Sequence, residues 1–290
     1  MVEMAAGIVV GRDGWLYSQD ENMVDEFVGS SKLTLRQLES RRVELEDRRS
    51  QLATRGIKYL FVISPNKESI YLEYLPGWLQ RCSTTTKTDQ FVDYMRLHST
   101  VDILDLRPVL RRAREDAPVF YKTDTHWNLM GAFVACEAII SNLSSQFPLL
   151  APASLADFTI QRTNGMGGDI ARFGGMLTMI DDNLYSFREK SPPPDQKYYS
   201  PTNQINPLRF GMLPILECPL ITTTNSQRSG CVVIFGDSYT FELVPFLGCH
   251  FGKVYVLRKN FNLEDIDKFK PDIVIDEKVE RWLHAYFHRG

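Results

Sequence analysis

The stretch C231-V-V-I-F-G-D-S-Y-T240 decides the fold. Five apolar, β-prone residues end at Gly236, and Gly-Asp-Ser follows before FELVPFLGCH, whose apolar spacing reads as a helix. A short apolar run bounded by a turn is a strand buried on both faces. Strand, turn and helix in that order make a parallel α/β unit, with Ser238 at the carboxyl edge of the sheet. The unit repeats downstream: KVYVL is a strand, NLEDIDKF a helix, DIVID a strand and EKVERWLHAYFH a final helix.

The same alternation appears upstream. Leu38, Leu45 and Leu52 recur in a charged run from about Thr34 to Arg55, an amphipathic helix closed by Gly56. IKYLFVIS is the next buried strand. A helical pattern around Gln90–Leu97, an extended VDILDL at 101–106 and a helical PVLRRARE follow, with Pro108 in the tolerated first turn. Leu129, Phe133, Cys136 and Ile140 then set a helix beginning just after Asp124-Thr125-His126. Gly7 to Tyr17 reads as a hairpin around a Gly-Arg-Asp-Gly turn. Between about 148 and 229 the pattern breaks into prolines, threonines and asparagines, including SPPP at 191–194, an irregular or β-rich insertion. The expectation is one α/β domain over 1–290, a mainly parallel sheet flanked by helices and interrupted by that insertion.

Composition excludes several function classes. Hydrophobic residues at 43% and charged residues at 24% fit a folded soluble body. A net charge of -3 without a basic block speaks against nucleic acid. Five scattered cysteines without a CxxC pair spell neither a disulfide framework nor a zinc site, and most are expected to be buried thiols. The first residues lack a basic n-region, and no stretch reaches about 18 apolar residues, so the chain as given reads as neither exported nor membrane-inserted. A leader or anchor trimmed beforehand would leave the same residues, so the compartment stays open: cytoplasmic as the chain stands, periplasmic if trimmed.

A serine at a strand-to-helix turn is exposed beside free backbone N–H groups that can stabilise an oxyanion. Asp237 or Ser238 could equally N-cap the helix. The serine needs a base, and His98, His126, His250, His284 and His288 are available. His126 lies at a loop-to-helix junction two residues after Asp124, so that the carboxylate can accept from one ring nitrogen while the other faces the serine. The alternatives are a helix cap at Asp124 or Thr125 and a metal site, for which no third ligand is spaced nearby. His98, His284 and His288 sit in charged helical surroundings and are expected to be solvated. His250 closes the helix after Ser238, where a cation suits the dipole.

Taken in order, Gly-Trp-Leu-Tyr at 14–17, Ser-Pro-Asn-Lys-Glu-Ser-Ile-Tyr at 64–71 with Leu75-Pro76, Asp124-Thr-His126-Trp127, Gly168-Asp169, Gly236-Asp237-Ser238, and Lys270-Pro-Asp-Ile-Val-Ile with Glu280-Arg281-Trp-Leu resemble the SGNH-hydrolase-like domain of the alginate O-acetyltransferase family. As in that family, Asp-x-His precedes the serine, a permutation of the order in ordinary SGNH hydrolases. The resemblance implies Ser238 as nucleophile, His126 as general base and Asp124 as its orienting carboxylate. It also implies transfer of acetyl groups to hydroxyls of a bacterial polysaccharide through an acetyl-serine. An acetyl donor and a carbohydrate acceptor are then the partners, with a membrane protein that passes acetyl groups as a family-level expectation; no cofactor, metal or nucleic acid is called for. A carbohydrate acetylesterase with water as acceptor and a non-catalytic glycan-binding module are the alternatives. The separate Gly and Asn oxyanion donors of SGNH hydrolases have no counterpart here, leaving the Ser238 N–H and, at the end of the next strand, Arg258. Lys67 is a candidate for an acidic sugar and Asp169 for the cleft wall or a helix cap. Asp237 and Tyr239, beside the serine, are further substrate-binding candidates. Trp127 and Trp15 can stack on sugar rings or pack in the core.

Overall fold

The computed structural model describes residues 7–19, 26–79, 81–165, 167–175, 182–192, 197–199 and 220–283. A hairpin of β1 (Ile8–Val10) and β2 (Leu16–Ser18) opens the chain, turned through Arg12–Gly14. The helix Leu35–Ala53 starts at a capping box, in which Thr34 accepts from Gln37 N and Gln37 reaches back to the Thr34 backbone. It leads to β3 (Lys58–Ser64). The helix Lys87–His98 precedes β4 (Ile103–Asp105), and the helix Arg107–Ala113 follows it. The long helix Leu129–Ser144 comes next.

The segment read as an insertion contributes an antiparallel ribbon of β5 (Phe158–Gly165) and β6 (Asp182–Glu189), with the short helix Asp169–Phe173 between them. It also supplies β7 (Lys197–Tyr199) and β8 (Leu220–Thr224), which add an antiparallel edge to the main sheet. β9 (Cys231–Phe235), β10 (Lys253–Leu257) and β11 (Ile273–Val279) complete it. The order is β4-β3-β11-β9-β10-β8-β7, and the first five strands are parallel. The chain leaves β3 toward one edge and β9 toward the other. Such a reversal opens a crevice above the middle of the sheet, at the carboxyl ends of the strands.

Burial on both faces follows from the alternation along each strand. Leu60 and Val62 of β3 join Val232, Ile234, Val254, Val256 and the helix Leu129–Ser144 in one core. Tyr59, Phe61 and Ile63 join Val233, Phe235, Val274 and the helix Leu35–Ala53 in the other. Leu45 and Leu52 are fully buried, as their spacing requires. Truncating either to alanine would cost about 2–5 kcal/mol.

Several local expectations are corrected. Asp276, Glu277 and Lys278 belong to β11 and are buried, although EKV reads as the start of the last helix, which begins at Glu280. A strand tolerates such charges when they are paired: Asp276 accepts from Arg48 and from the Tyr59 hydroxyl at 2.9 Å, and Lys278 Nζ lies 3.1 Å from it. The helix after Ser238 is a 3-10 segment, Ser238–Leu243, and one α-turn, Val244–Leu247, because Pro245 cannot donate into a longer helix. Among the four described cysteines only Cys136 is buried, Cys82 being exposed and Cys231 and Cys249 half-buried; Cys218 lies outside the described residues. His98 is exposed as expected, whereas His284 and His288 lie outside the described residues. His250 follows the last α-turn as expected, its N–H donating to the Leu247 carbonyl at 3.0 Å, and its side chain is buried against Glu137, 3.3 Å from Nε2 to Oε1. Among the described residues, no helix is long and apolar enough to cross a membrane.

Candidate active site

Gly236 forms the bend at the end of β9. A Cβ there would lie 2.3 Å from Thr240 Cγ2 and 2.7 Å from Glu277 Oε2, so the backbone passes too close to its neighbours for any side chain. Asp237 N-caps the 3-10 segment, accepting from Tyr239 N at 3.0 Å through Oδ1 and from Val279 N at 3.0 Å through Oδ2. The cap reading and the nucleophile reading therefore fall on different residues. Ser238, next in the chain and partly exposed, is the first residue of the segment, where a backbone N–H has no partner within the helix.

Its hydroxyl lies 2.7 Å from His126 Nε2, and His126 Nδ1 lies 2.6 Å from Asp124 Oδ1. Asp124 takes no part in capping the following helix; Asn128 does that, with Oδ1 accepting from Gly131 N at 3.0 Å, and the helix starts at Leu129. Asp124 Oδ1 instead accepts the His126 backbone N–H at 2.9 Å, and Oδ2 accepts Asp169 N–H at 2.8 Å. Burial disfavours the Asp124 charge, but His126 and these N–H donors outweigh it and hold the carboxyl well below its usual range. With Asp124 ionised, Nδ1 of the neutral imidazole carries the proton and Nε2 is left to accept from the serine. Burial pulls the imidazole down, yet the charge and hydrogen bond of Asp124, with Asp169 and Glu242 behind it, raise its pKa to about 9. The imidazole is only 16% exposed, so solvent screens this pair weakly.

The segment carrying Asp124 and His126 is held from three sides. Lys67 Nζ donates to the carbonyls of Tyr121, Lys122 and Asp124 at 3.2, 2.9 and 2.7 Å. Asp182 accepts from Lys122 N at 2.9 Å, and from Thr123 N and Oγ1 at 2.8 and 2.6 Å. Asp169 accepts from Thr125 N and Oγ1 at 2.7 and 2.6 Å. Gly168 passes so close to Asp124 that a Cβ would sit 2.3 Å from the Asp124 Cβ. Below the imidazole, the Tyr239 ring lies 5.0 Å away, packs at 5.0 Å edge-on to Trp127, and sends its hydroxyl to the Thr125 carbonyl.

These positions change several assignments. Lys67 is 2% exposed and spends its donors on backbone carbonyls, so it anchors the histidine loop and has no reach to an acidic sugar. Trp127 is fully buried and Trp15 is 3% exposed, so both are core residues and present no ring to a sugar. Tyr239 is likewise fully buried, a seat for the imidazole and not a substrate contact. Asp169 does not cap its helix; Gly168 occupies that position and Asp169 faces His126, with Oδ2 3.7 Å from Nδ1. Arg258 is exposed just past β10, at the same carboxyl edge as Ser238. Asp182 and Thr123 escaped the sequence reading because Asp182 lies some sixty residues away in the aperiodic region. Glu277, whose Oε2 accepts Asp237 N–H at 3.2 Å, was hidden in a stretch read as helix.

The third ligand missing from the local sequence does exist in space, since Asp124, His126 and Asp169 offer ligand atoms within 4.8 Å of one another. Their hydrogen bonds are nevertheless ordered for proton transfer. The 2.6 Å between Nδ1 and Asp124 is shorter than the roughly 3.3 Å that separates two ligands of one tetrahedral ion, and both Asp169 oxygens already accept from Thr125.

The SGNH hydrolase-like domain family of the acetyltransferase AlgX matches residues 8–195. The probable alginate O-acetylase AlgJ of Pseudomonas aeruginosa is 26% identical over 178 residues, which cover 61% of this chain and 44% of that protein. The chain thus spans under half the length of that relative. The AlgJ of Pseudomonas syringae pv. tomato, also a probable alginate O-acetylase, is 29% identical over 98% of this chain and 71% of its own length. Among solved structures, Bacillus cereus PatB1 with a sulfonyl adduct superposes with a TM-score of 0.70 at 16% identity, covering 94% of this chain and 95% of that one, a likeness of fold.

Proposed function

This chain belongs to the SGNH hydrolase-like domain family of the acetyltransferase AlgX, and on that premise we propose that it is a serine-dependent O-acetyltransferase. Its acceptor is a hydroxyl of a bacterial polysaccharide, and residues 1–290 form one SGNH-like domain interrupted at about 148–229. The observation that supports the reading most is the line from Asp124 through His126 to Ser238, with separations of 2.6 and 2.7 Å. The likeness to two probable alginate O-acetylases supports the substrate class.

The reaction runs in two halves. Ser238 Oγ attacks the acetyl carbonyl of the donor while His126 Nε2 takes the hydroxyl proton, and Asp124 stabilises the imidazolium. The tetrahedral oxyanion meets the Ser238 N–H, with Arg258 at the same edge as the candidate second donor. Collapse expels the donor's leaving group, which takes the proton from His126, and leaves acetyl-Ser238. A sugar hydroxyl then gives its proton to His126 as it attacks the ester, and the proton returns to Ser238. A membrane protein that delivers acetyl groups would supply the donor side.

The test is to incubate the protein with para-nitrophenyl acetate and a polysaccharide acceptor and to examine the glycan by mass spectrometry. Acetylated glycan that disappears with Ser238→Ala is the expected result. Acetate released with no acetyl on any glycan would make water the acceptor and the protein an esterase, and turnover unaltered in Ser238→Ala would overturn the serine mechanism.

A further inference from the structure

A second group of chemically capable side chains lies behind the site, where the helix Leu129–Ser144 packs against the segment that follows Ser238. Cys136 on that helix is fully buried, the Glu137 side chain is 14% exposed, and the His250 side chain is 7% exposed. Their sulfur, oxygen and nitrogen atoms all lie within 4.8 Å of one another. His250 Nε2 is 3.3 Å from Glu137 Oε1, which is close to the ligand-to-ligand edge of a tetrahedron built on metal bonds of about 2.0–2.1 Å. The other oxygen, Glu137 Oε2, is buried without a hydrogen-bond partner among the described residues. Cys249, beside His250 in the chain, directs its thiol to Glu189 and stands outside this set.

We infer that Cys136, Glu137 and His250 form a binding site for a zinc-class divalent cation. The donor set argues for that class: thiolate and imidazole favour borderline-soft ions, whereas magnesium and calcium take oxygen. Charge argues for it too. One thiolate, one carboxylate and a neutral imidazole around a dication sum to zero, the assembly that burial tolerates best. Binding replaces the Cys136 S–H bond by an S–metal bond and releases the proton to solvent, so affinity rises with pH. The ion would tie the helix that follows His126 to the segment that follows Ser238, fastening the two arms of the dyad behind the cleft.

The experiment uses the whole chain, stripped with a chelator and kept reduced with a phosphine. Cobalt(II) titration is followed by absorption, and zinc by thermal melting. Expected are one equivalent of cobalt, a thiolate-to-cobalt charge-transfer band in the near ultraviolet, and a zinc-induced rise in melting midpoint of about 5 °C or more at a hundredfold excess over Kd. Cys136→Ser removes the band, and His250→Gln weakens binding at least about tenfold. Asp124→Asn leaves both unchanged. Absence of saturable binding, a band that survives Cys136→Ser, or binding lost in Asp124→Asn in place of Cys136→Ser would overturn the site. Metal-free melting and far-ultraviolet dichroism identify variants that fail to fold; should Cys136→Ser be one, His250→Gln alone decides.

Discussion

Replacing Asp124 by asparagine separates the charge of the carboxylate from its shape. Asp124 accepts from three donors, His126 Nδ1 at 2.6 Å and His126 N at 2.9 Å through one oxygen, and Asp169 N at 2.8 Å through the other. Asparagine has one acceptor oxygen, so in either orientation its NH2 faces an N–H donor. If the NH2 faces His126, the imidazole must take the tautomer with hydrogen on Nε2, and the base toward Ser238 is lost. That loss is worth roughly three to four orders of magnitude in kcat/KM in triads of this kind. The charge is the second loss. The rise of the imidazole from 6.5 to about 9 corresponds to about 3 kcal/mol in favour of imidazolium. Without Asp124, burial pulls the pKa back toward 6.5, opposed only by the weaker influence of Asp169 and Glu242. The wild-type rate of para-nitrophenyl acetate hydrolysis should therefore climb about tenfold per pH step and level off near pH 9. The Asp124→Asn profile should level off at lower pH, at a plateau roughly 10³ to 10⁴ lower. A mutant plateau within about tenfold of wild type, or an inflection that does not move, would refute the orienting and charging role of Asp124.

Stability should run against activity in its pH dependence. Burial raises Glu68, Glu242 and Glu277 from 4.5 to about 8, and Glu280 to about 7. The unfolded chain releases these protons first, so folding weakens as pH rises from about 4.5 toward 8, and the raised His126 adds to the loss up to about 9. Asp124 and Asp276, both lowered, contribute stability that is lost on acidification below the ordinary aspartate pKa of 3.8. The melting midpoint is expected to peak near pH 5 and to fall at least about 5 °C by pH 8, as checked by dichroism; a flat or rising curve over that range contradicts the burial of these acids. Gly236→Ala should lose about 1–3 kcal/mol in denaturant unfolding together with most esterase activity, because the new methyl meets Thr240 Cγ2. Adding Thr240→Ser removes that methyl, keeps the hydroxyl that donates to the Asp237 carbonyl at 2.7 Å, and should recover part of both; no recovery would place the strain elsewhere.

The parallel sheet was legible because apolar strands and amphipathic helices alternate with the periods that burial demands, in CVVIF, KVYVL and IKYLFVIS above all. The charged end of β11 was not legible, since the pairing that makes Asp276 and Lys278 tolerable comes from Arg48 and Tyr59, far off in the chain. At the site, Asp124, His126 and Ser238 could be picked out by type and by local turn chemistry. Their supporting cast could not. Lys67, Trp127 and Tyr239 carry functional groups that look available on paper, and only burial shows that they hold the loop and seat the imidazole. Asp169 lay between two readings, and its place beside His126 emerged only when the helix Asp169–Phe173 docked on Thr125. Asp182 gave no local signal, because its partners at Lys122 and Thr123 are brought to it by the ribbon.

The proton line from Asp124 to Ser238 predicts one reactive hydroxyl, and a sulfonyl fluoride followed by tryptic mass spectrometry measures it directly. A single adduct on the peptide carrying Ser238, formed by the wild type and suppressed in His126→Ala, is the predicted result. An adduct on another residue, or one on Ser238 that forms as fast without His126, would contradict it.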